Sequence, residues 1–246
     1  MDDAPPAPAV LGGGPGRRGR WFPAALAVLA ALLLWAADMQ IVPVLRTTDV
    51  RTSSVDGVHE VVVELDAGTV TLRAGPGTTV GVRVVRTWLW PEPDPAVAVA
   101  DGVLSVLGRC PGIAVGCTIS AELWIPHGTS VRVTTGTGAV VVARLDVPVL
   151  ELDSRAGTVD VVDVSAARVR ARTGTGDVTV SFLRPPSVAD VASGTGDVVL
   201  TVPAGRYRVD ADGRAGTAVT DVVRDPGAAR LLSARSSAGS VTIRSR

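Results

Sequence analysis

Lysine and asparagine are absent from this 246-residue chain, histidine and cysteine occur twice each, and aromatic residues make up 3%. Each scarcity narrows the function. All 24 basic residues are arginine, balanced by 24 acidic ones, so the chain offers no strong field to nucleic acid or any other polyanion. The all-arginine usage itself looks like coding bias towards G and C, not chemistry. Two cysteines without a nearby histidine pair cannot complete a tetrahedral metal shell. His59, in "VHEVVV", and His127, in "IPHGT", have no serine or cysteine nucleophile in a recognisable local setting. The sequence therefore assigns no catalytic residue, no metal ligand and no cofactor, and no enzyme is expected. What abounds is Val, Ala, Gly and Thr, a small and β-branched set that favours strands.

Residues 1–20 are dominated by Pro and Gly without an apolar period, and are expected to be a disordered cytoplasmic tail. Trp21–Ala37 then runs 17 residues without a charge. As a helix it would rise ~25 Å, slightly less than the ~30 Å of a bilayer core. The apolar "MQIVPVL" after Asp38 supplies the remainder, so residues 21–45 read as a transmembrane signal-anchor helix. Trp21 and Trp35 sit near its ends, where headgroup-level rings are favoured. Arg17, Arg18 and Arg20 place the N-terminus in the cytoplasm by the positive-inside rule. The expected protein spans the cell membrane once. A juxtamembrane linker (46–58) leads to an extracytoplasmic β domain (59–246). A cleaved signal peptide is the rival, although its −3 position would be Trp35 or Leu34, neither of them small. A buried soluble helix is a third reading.

Cys110 and Cys117 bracket "PGIAVG". Outside the membrane so close a pair is expected to oxidise. The short loop makes the bond worth ~2–2.5 kcal/mol, enough to pin a local turn. Two free thiols in a small pocket are the alternative.

"RTGTGDVTV" (Arg172–Val180) returns twenty residues later as "ASGTGDVVL" (Ala192–Leu200). Aligned on the last glycine, the phrase recurs at Gly138, Gly157, Gly176, Gly196, Gly216 and Gly239, at spacings of 19, 19, 20, 20 and 23. Seven and five residues before that glycine, and two and four after it, the entries are aliphatic or alanine at every repeat, with Thr220 the only polar one. The intervening positions are mostly Arg, Asp, Glu, Thr or Ser. This alternation is the period of half-buried strands around a tight turn, whose glycine accepts a positive φ. Gly68 repeats the pattern upstream, with Val61 and Val63 before it and Val70 and Leu72 after. The fold class is expected to be all-β: a β-solenoid or β-helix-like stack of strand–turn–strand repeats, about six coils or more, sharing one core. An antiparallel β-meander or sandwich, in which each unit is a hairpin, remains open.

The tandem "TGTGAVVV", "RAGTVDVV", "TGTGDVTV" and "SGTGDVVL" resembles the bacterial putative-adhesin family of β-strand-repeat proteins, a family of unknown function. The order of parts is similar too: an N-terminal membrane helix, an early "AGTV" turn, a cysteine pair, a strand ending in "IP", then repeats. The resemblance covers roughly residues 55–246. It implies a solenoid-like domain outside the cell membrane and no catalytic residues.

Several groups are candidate sites. Asp177 and Asp197 follow their glycines and would lie ~5 Å apart in a stack, but the nonapeptide calcium repeat has a period of nine, and two carboxylates make a weak cation site. Asp153, Asp160 and Asp163, like Asp210 and Asp212, read as solvated strand faces. Arg168, Arg170 and Arg172 alternate on one strand; with Arg206 and Arg208 they could form a basic stripe for anionic wall polymer or headgroups, or simply protect an outward face. The expected role is a surface scaffold or adhesin-like recognition module whose partner is a cell-wall polymer or an envelope protein. The alternatives are an accessory subunit of an envelope-sensing or transport complex, and a polysaccharide-active β-helix enzyme.

Overall fold

In the computed structural model of the chain, residues 47–112 and 116–246 are described. The expected tail and transmembrane segment lie outside them. Among the described residues the structure is all-β, and no helix is long and apolar enough to cross a membrane. The first strands are β1 (Thr47–Val55), β2 (Glu60–Ala67), β3 (Val70–Ala74), β4 (Val80–Trp88), β5 (Ala96–Ala100), β6 (Val103–Gly108) and β7 (Thr118–Ile125). Next come β8 (Ser130–Thr137), β9 (Val140–Ala143), β10 (Asp146–Ala156), β11 (Val159–Thr175), β12 (Val178–Phe182), β13 (Val188–Thr195) and β14 (Val198–Val202). The last are β15 (Arg206–Gly213), β16 (Ala218–Asp221), β17 (Val223–Arg224), β18 (Leu231–Ala238) and β19 (Val241–Ser245).

The strands before and after each turn glycine fall in different ladders. The strands after it pair in the order β3, β9, β11, β12, β14, β19, β16, all parallel. The strands before it pair in the order β2, β8, β10, β11, β13, β18, β15, again all parallel. The long β11 joins the two, its start pairing with β9 and β12 and its remainder with β10 and β13. Equivalent residues lie side by side: Val178 is flanked by Val159 and Val198, and Ala171 by Leu152 and Val191. The glycine repeats are therefore not hairpins, because no strand pairs antiparallel with the strand across a column glycine. Aliphatic columns from both ladders meet in one core, in which Val61, Leu72, Val140, Leu152, Val178, Leu200 and Ile243 are fully buried.

Stacking explains the glycines more fully than backbone conformation does. Six of the seven column glycines have positive φ, from 129° at Gly138 to 158° at Gly239. In addition, a Cβ at Gly157 would overlap the carbonyl oxygen of Gly138, and one at Gly176 that of Gly157. Each corner rests on the one before it. Three of the corner carbonyls accept from hydroxyls three residues before the next glycine. Thr173 Oγ1 donates to Gly157 O at 2.9 Å, Ser193 Oγ to Gly176 O at 2.8 Å, and Ser236 Oγ to Gly196 O at 2.7 Å. Ser193→Ala is expected to cost about 1 kcal/mol, since it strands a half-buried carbonyl. A lower urea midpoint at unchanged slope would show it; an unchanged midpoint would mean water replaces the hydroxyl.

The final two repeats do not stack in chain order. β13 and β14 pair with β18 and β19, and β18 and β19 pair with β15 and β16. The Gly216 repeat is thus the terminal layer, and the Gly239 repeat is inserted beneath it. Thr220, the polar exception in the columns, belongs to this layer. Val209, Ala211, Ala218 and Thr220 are the column entries that are not fully buried. Tyr207 packs here with its hydroxyl donating to Pro203 O at 2.7 Å, and burial raises its pKa above the usual value.

The other end is built differently. β1 and β7 flank β4, both antiparallel to it, and β5 pairs antiparallel with β6. Residues 47–55, expected within a linker, are therefore a strand. Arg86 of β4 is 6% exposed. Its Nε donates to Asp49 Oδ2 at 2.8 Å, its Nη1 to Pro93 O at 2.9 Å and Glu92 Oε1 at 2.8 Å, and it lies 5.1 Å from the Trp88 ring centre. Hydrogen bonding to Arg86 holds the Asp49 carboxyl below its usual 3.8. A depressed folded pKa contributes stability that is complete above the unfolded value and is lost as pH falls through the folded one. Acid is therefore expected to loosen β1 below pH 3.8. In Asp49→Asn that acid limb should flatten in a pH series of denaturation midpoints, and a limb of unchanged slope would assign it to other carboxylates.

Cys110 and Cys117 form a disulfide, with Cα atoms 5.9 Å apart. The Cys110 amide donates to Asp66 Oδ2 at 3.0 Å, which ties the loop to the corner at Gly68.

Candidate functional site

The outward residues of β8, β10, β11, β13, β18 and β15 form a polar face of the β domain. Parallel register puts side chains of neighbouring repeats in rows, so sequence charges become cross-strand pairs. Arg132 Nη2 lies 3.0 Å from Glu151 Oε2. Arg172 and Arg235 both reach Asp190, and Arg235 also pairs with Asp210. Such exposed pairs are worth at most about 1 kcal/mol each. Their main effect is to keep the face neutral and ordered.

This arrangement breaks the supposed basic stripe. Arg168, Arg170 and Arg172 lie on β11, whereas Arg208 lies on β15, with β13 and β18 between them. Arg168 and Arg208 share a row through Val188 and Leu231, and Arg170 shares one with Asp190, Ser233 and Asp210. Arg206 leaves the face and points towards Asp225 at 3.6 Å. Among the described residues, Arg168, Arg170 and Arg208 have no ion-pair partner. They remain the cations available to an anionic ligand, as separated points and not as a continuous band. Sequence alternation placed them outward correctly but could not show which strands intervene.

Five of the seven acidic candidates, all but Asp153 and Asp160, have structural partners among the described residues. Asp177 Oδ1 accepts from the Asp197 amide at 2.8 Å, and Asp197 Oδ1 accepts from the Ser240 amide at 2.8 Å. The two carboxylates thus link successive corners, which accounts for their spacing. Asp177→Ala is expected to cost about 0.5–1.5 kcal/mol. Added calcium should leave the melting temperature of both proteins unchanged, and a calcium-dependent rise in the parent alone would reveal a cation site. Asp163 Oδ1 pairs with Arg246 at 2.9 Å, and Asp212 with Arg214 at 3.7 Å. No group of three or more His, Cys, Asp or Glu side chains fit to hold a metal occurs among the described residues. His127 Nδ1 lies 3.6 Å from Asp146 Oδ2 on the surface. His59 packs against Gly102, whose carbonyl accepts the His59 amide at 2.9 Å.

Concavities are shallow. One, of about 520 Å³, lies where Asp146, Ser165, Arg184 and Ser187 meet at the corners opposite the glycine column. Another, of about 610 Å³, lies between β1 and β5 and is lined by Arg51, Ser53, Val84, Pro95 and Val97. In the first, among the described residues, no hydrogen bond joins the Ser165 or Ser187 hydroxyl to the Asp146 carboxylate.

No family model matches the chain, and no curated protein matches it. Among solved structures, the chain is similar to the crystal structure of a putative cell adhesion protein from Clostridium sporogenes ATCC 15579. The TM-score is 0.54 at 11% identity, over 81% of this chain and 100% of that one. A putative adhesin from Bacteroides fragilis NCTC 9343 aligns with a TM-score of 0.36 at 14% identity, over 81% and 97% of the two chains. The Clostridium likeness is one of fold alone.

Proposed function

We propose that the chain is a single-pass cell-membrane protein with a cytoplasmic N-terminus, whose β domain is an extracytoplasmic β-solenoid serving as a scaffold or recognition module. It performs no catalysis, and its partner is a cell-wall polymer or an envelope protein. The observation that carries this reading is the register. Repeats laid side by side turn a low-complexity sequence into a long rigid surface, with its charges set in rows and its core closed to solvent. Such a surface presents spaced contacts, and the concavities described above are shallow. The uncharged run at Trp21–Ala37 and the arginines before it support the topology. The likeness in fold to a protein named for cell adhesion agrees with a surface role.

The test is retention. Full-length protein in detergent is immobilised and offered purified wall polymer and solubilised envelope proteins. One of the two is expected to be retained, and the triple variant Arg168→Glu, Arg170→Glu, Arg208→Glu should lose it while melting like the parent. Retention of neither, or cleavage of the polymer, would overturn the reading. Retention of a membrane protein only while residues 21–45 are present would assign an accessory role within an envelope complex.

A further inference from the structure

Trp90 is 69% exposed, the one aromatic side chain among the described residues that solvent reaches so freely. Phe182 and Tyr207 are fully buried and Trp88 nearly so. A single exposed apolar residue needs no explanation by itself. Its place in the fold does.

β4 runs antiparallel to β1, and its last residue, Trp88, lies opposite Thr47. Thr47 follows the apolar segment ending at Leu45 by two residues, at most about 7 Å of extended chain. Cross-strand neighbours are ~5 Å apart, and Trp90 is two residues further on, again ~7 Å. The exposed indole therefore lies within about 20 Å of the point where the chain enters β1. It is also held in place. Arg86 fastens the following segment through Pro93 O and Glu92, and fastens β1 through Asp49. The indole thus projects from a braced corner.

We infer that Trp90 seats the β domain on the bilayer, its ring lying at headgroup level in the outer leaflet. This rests on the membrane-anchor reading above. An amphipathic indole is favoured at that depth. The charges that follow along the chain are Glu92, already paired to Arg86, and the exposed Asp94, so contact is driven by burial of the ring and not by attraction to anionic lipid. The interaction is accordingly expected to survive raised salt. Its consequence is that the corner at β1 and β4 rests on the membrane.

The experiment uses the full chain in phosphatidylcholine vesicles. Trp90→Cys and, on the terminal repeat, Val219→Cys are each labelled with an environment-sensitive dye; the Cys110–Cys117 disulfide keeps the native thiols from reacting. Both positions are exposed, so unchanged melting should confirm intact folds. The label at 90 is expected to shift to the blue and to be quenched by lipid-borne quencher, equally at low and high salt, while the label at 219 does neither. Flotation with the vesicles, with both labels reporting water, would overturn this inference and leave the anchor standing. A blue shift at 90 without lipid quenching would mean that protein covers Trp90, and would also overturn it. Failure to float would remove the anchor and this inference together.

Discussion

Val178→Asp is expected to destabilise the β domain by about 4 kcal/mol or more. Val178 is fully buried, with Val159 and Val198 beside it in the ladder. A carboxylate there has no cation and no donor within the aliphatic columns, and an uncompensated buried charge costs about 3–5 kcal/mol. That is a large share of the 5–15 kcal/mol typical of a folded domain. The effect should also depend on pH. Burial raises the pKa of the introduced carboxyl, so the penalty is largest above that raised value and shrinks as acid neutralises the group. Denaturation midpoints that fall steeply at pH 7 and partly recover near pH 5 are the expected signature. A midpoint equal to the parent's at pH 7 would mean that this position faces solvent.

Gly157→Ala ranks second. Two costs act together there. The φ of 144° lies where an L side chain is strained, and the new Cβ would overlap the Gly138 carbonyl oxygen. Backbone strain of about 1–3 kcal/mol adds to overpacking of about 1–3 kcal/mol. Gly128→Ala separates the two, because Gly128 also has positive φ, 82°, but open space around its Cβ position. It should lose only the conformational share. Urea midpoints that drop equally in both variants would show that the corners do not press on one another.

The aliphatic columns were legible because a strand's two faces differ in solvent access, and that difference recurs at one spacing. Sequence alternation put Val131, Val169 and Leu232 inside, where they are. The order of the layers was not legible, since identical columns dock equally well above or below a neighbour. Only faint marks remained: the spacing of 23 before Gly239, which leaves chain for a return path, and Thr220 in an otherwise apolar column. The corner hydroxyls left no mark of their own in the sequence pattern, because their hydrogen bonds to glycine carbonyls exist only between repeats. The same limit applied to the candidate site. Arginines read as a stripe were separated by strands whose neighbours could not be deduced, and the aspartates read as a weak cation pair serve backbone amides. β1 escaped notice because its edge position leaves it largely exposed, without the alternation of its neighbours.

The inserted Gly239 repeat also sets the sequence of assembly. Residues 206–221 leave the ribosome before their proper support, residues 231–245. Until that support has emerged, β13 and β14 stand open to the earlier segment, the berth that belongs to the later one. A chain cut short after about residue 230 would therefore lose an interior layer and not a tip, and its penultimate repeat would be left to settle in a place meant for another.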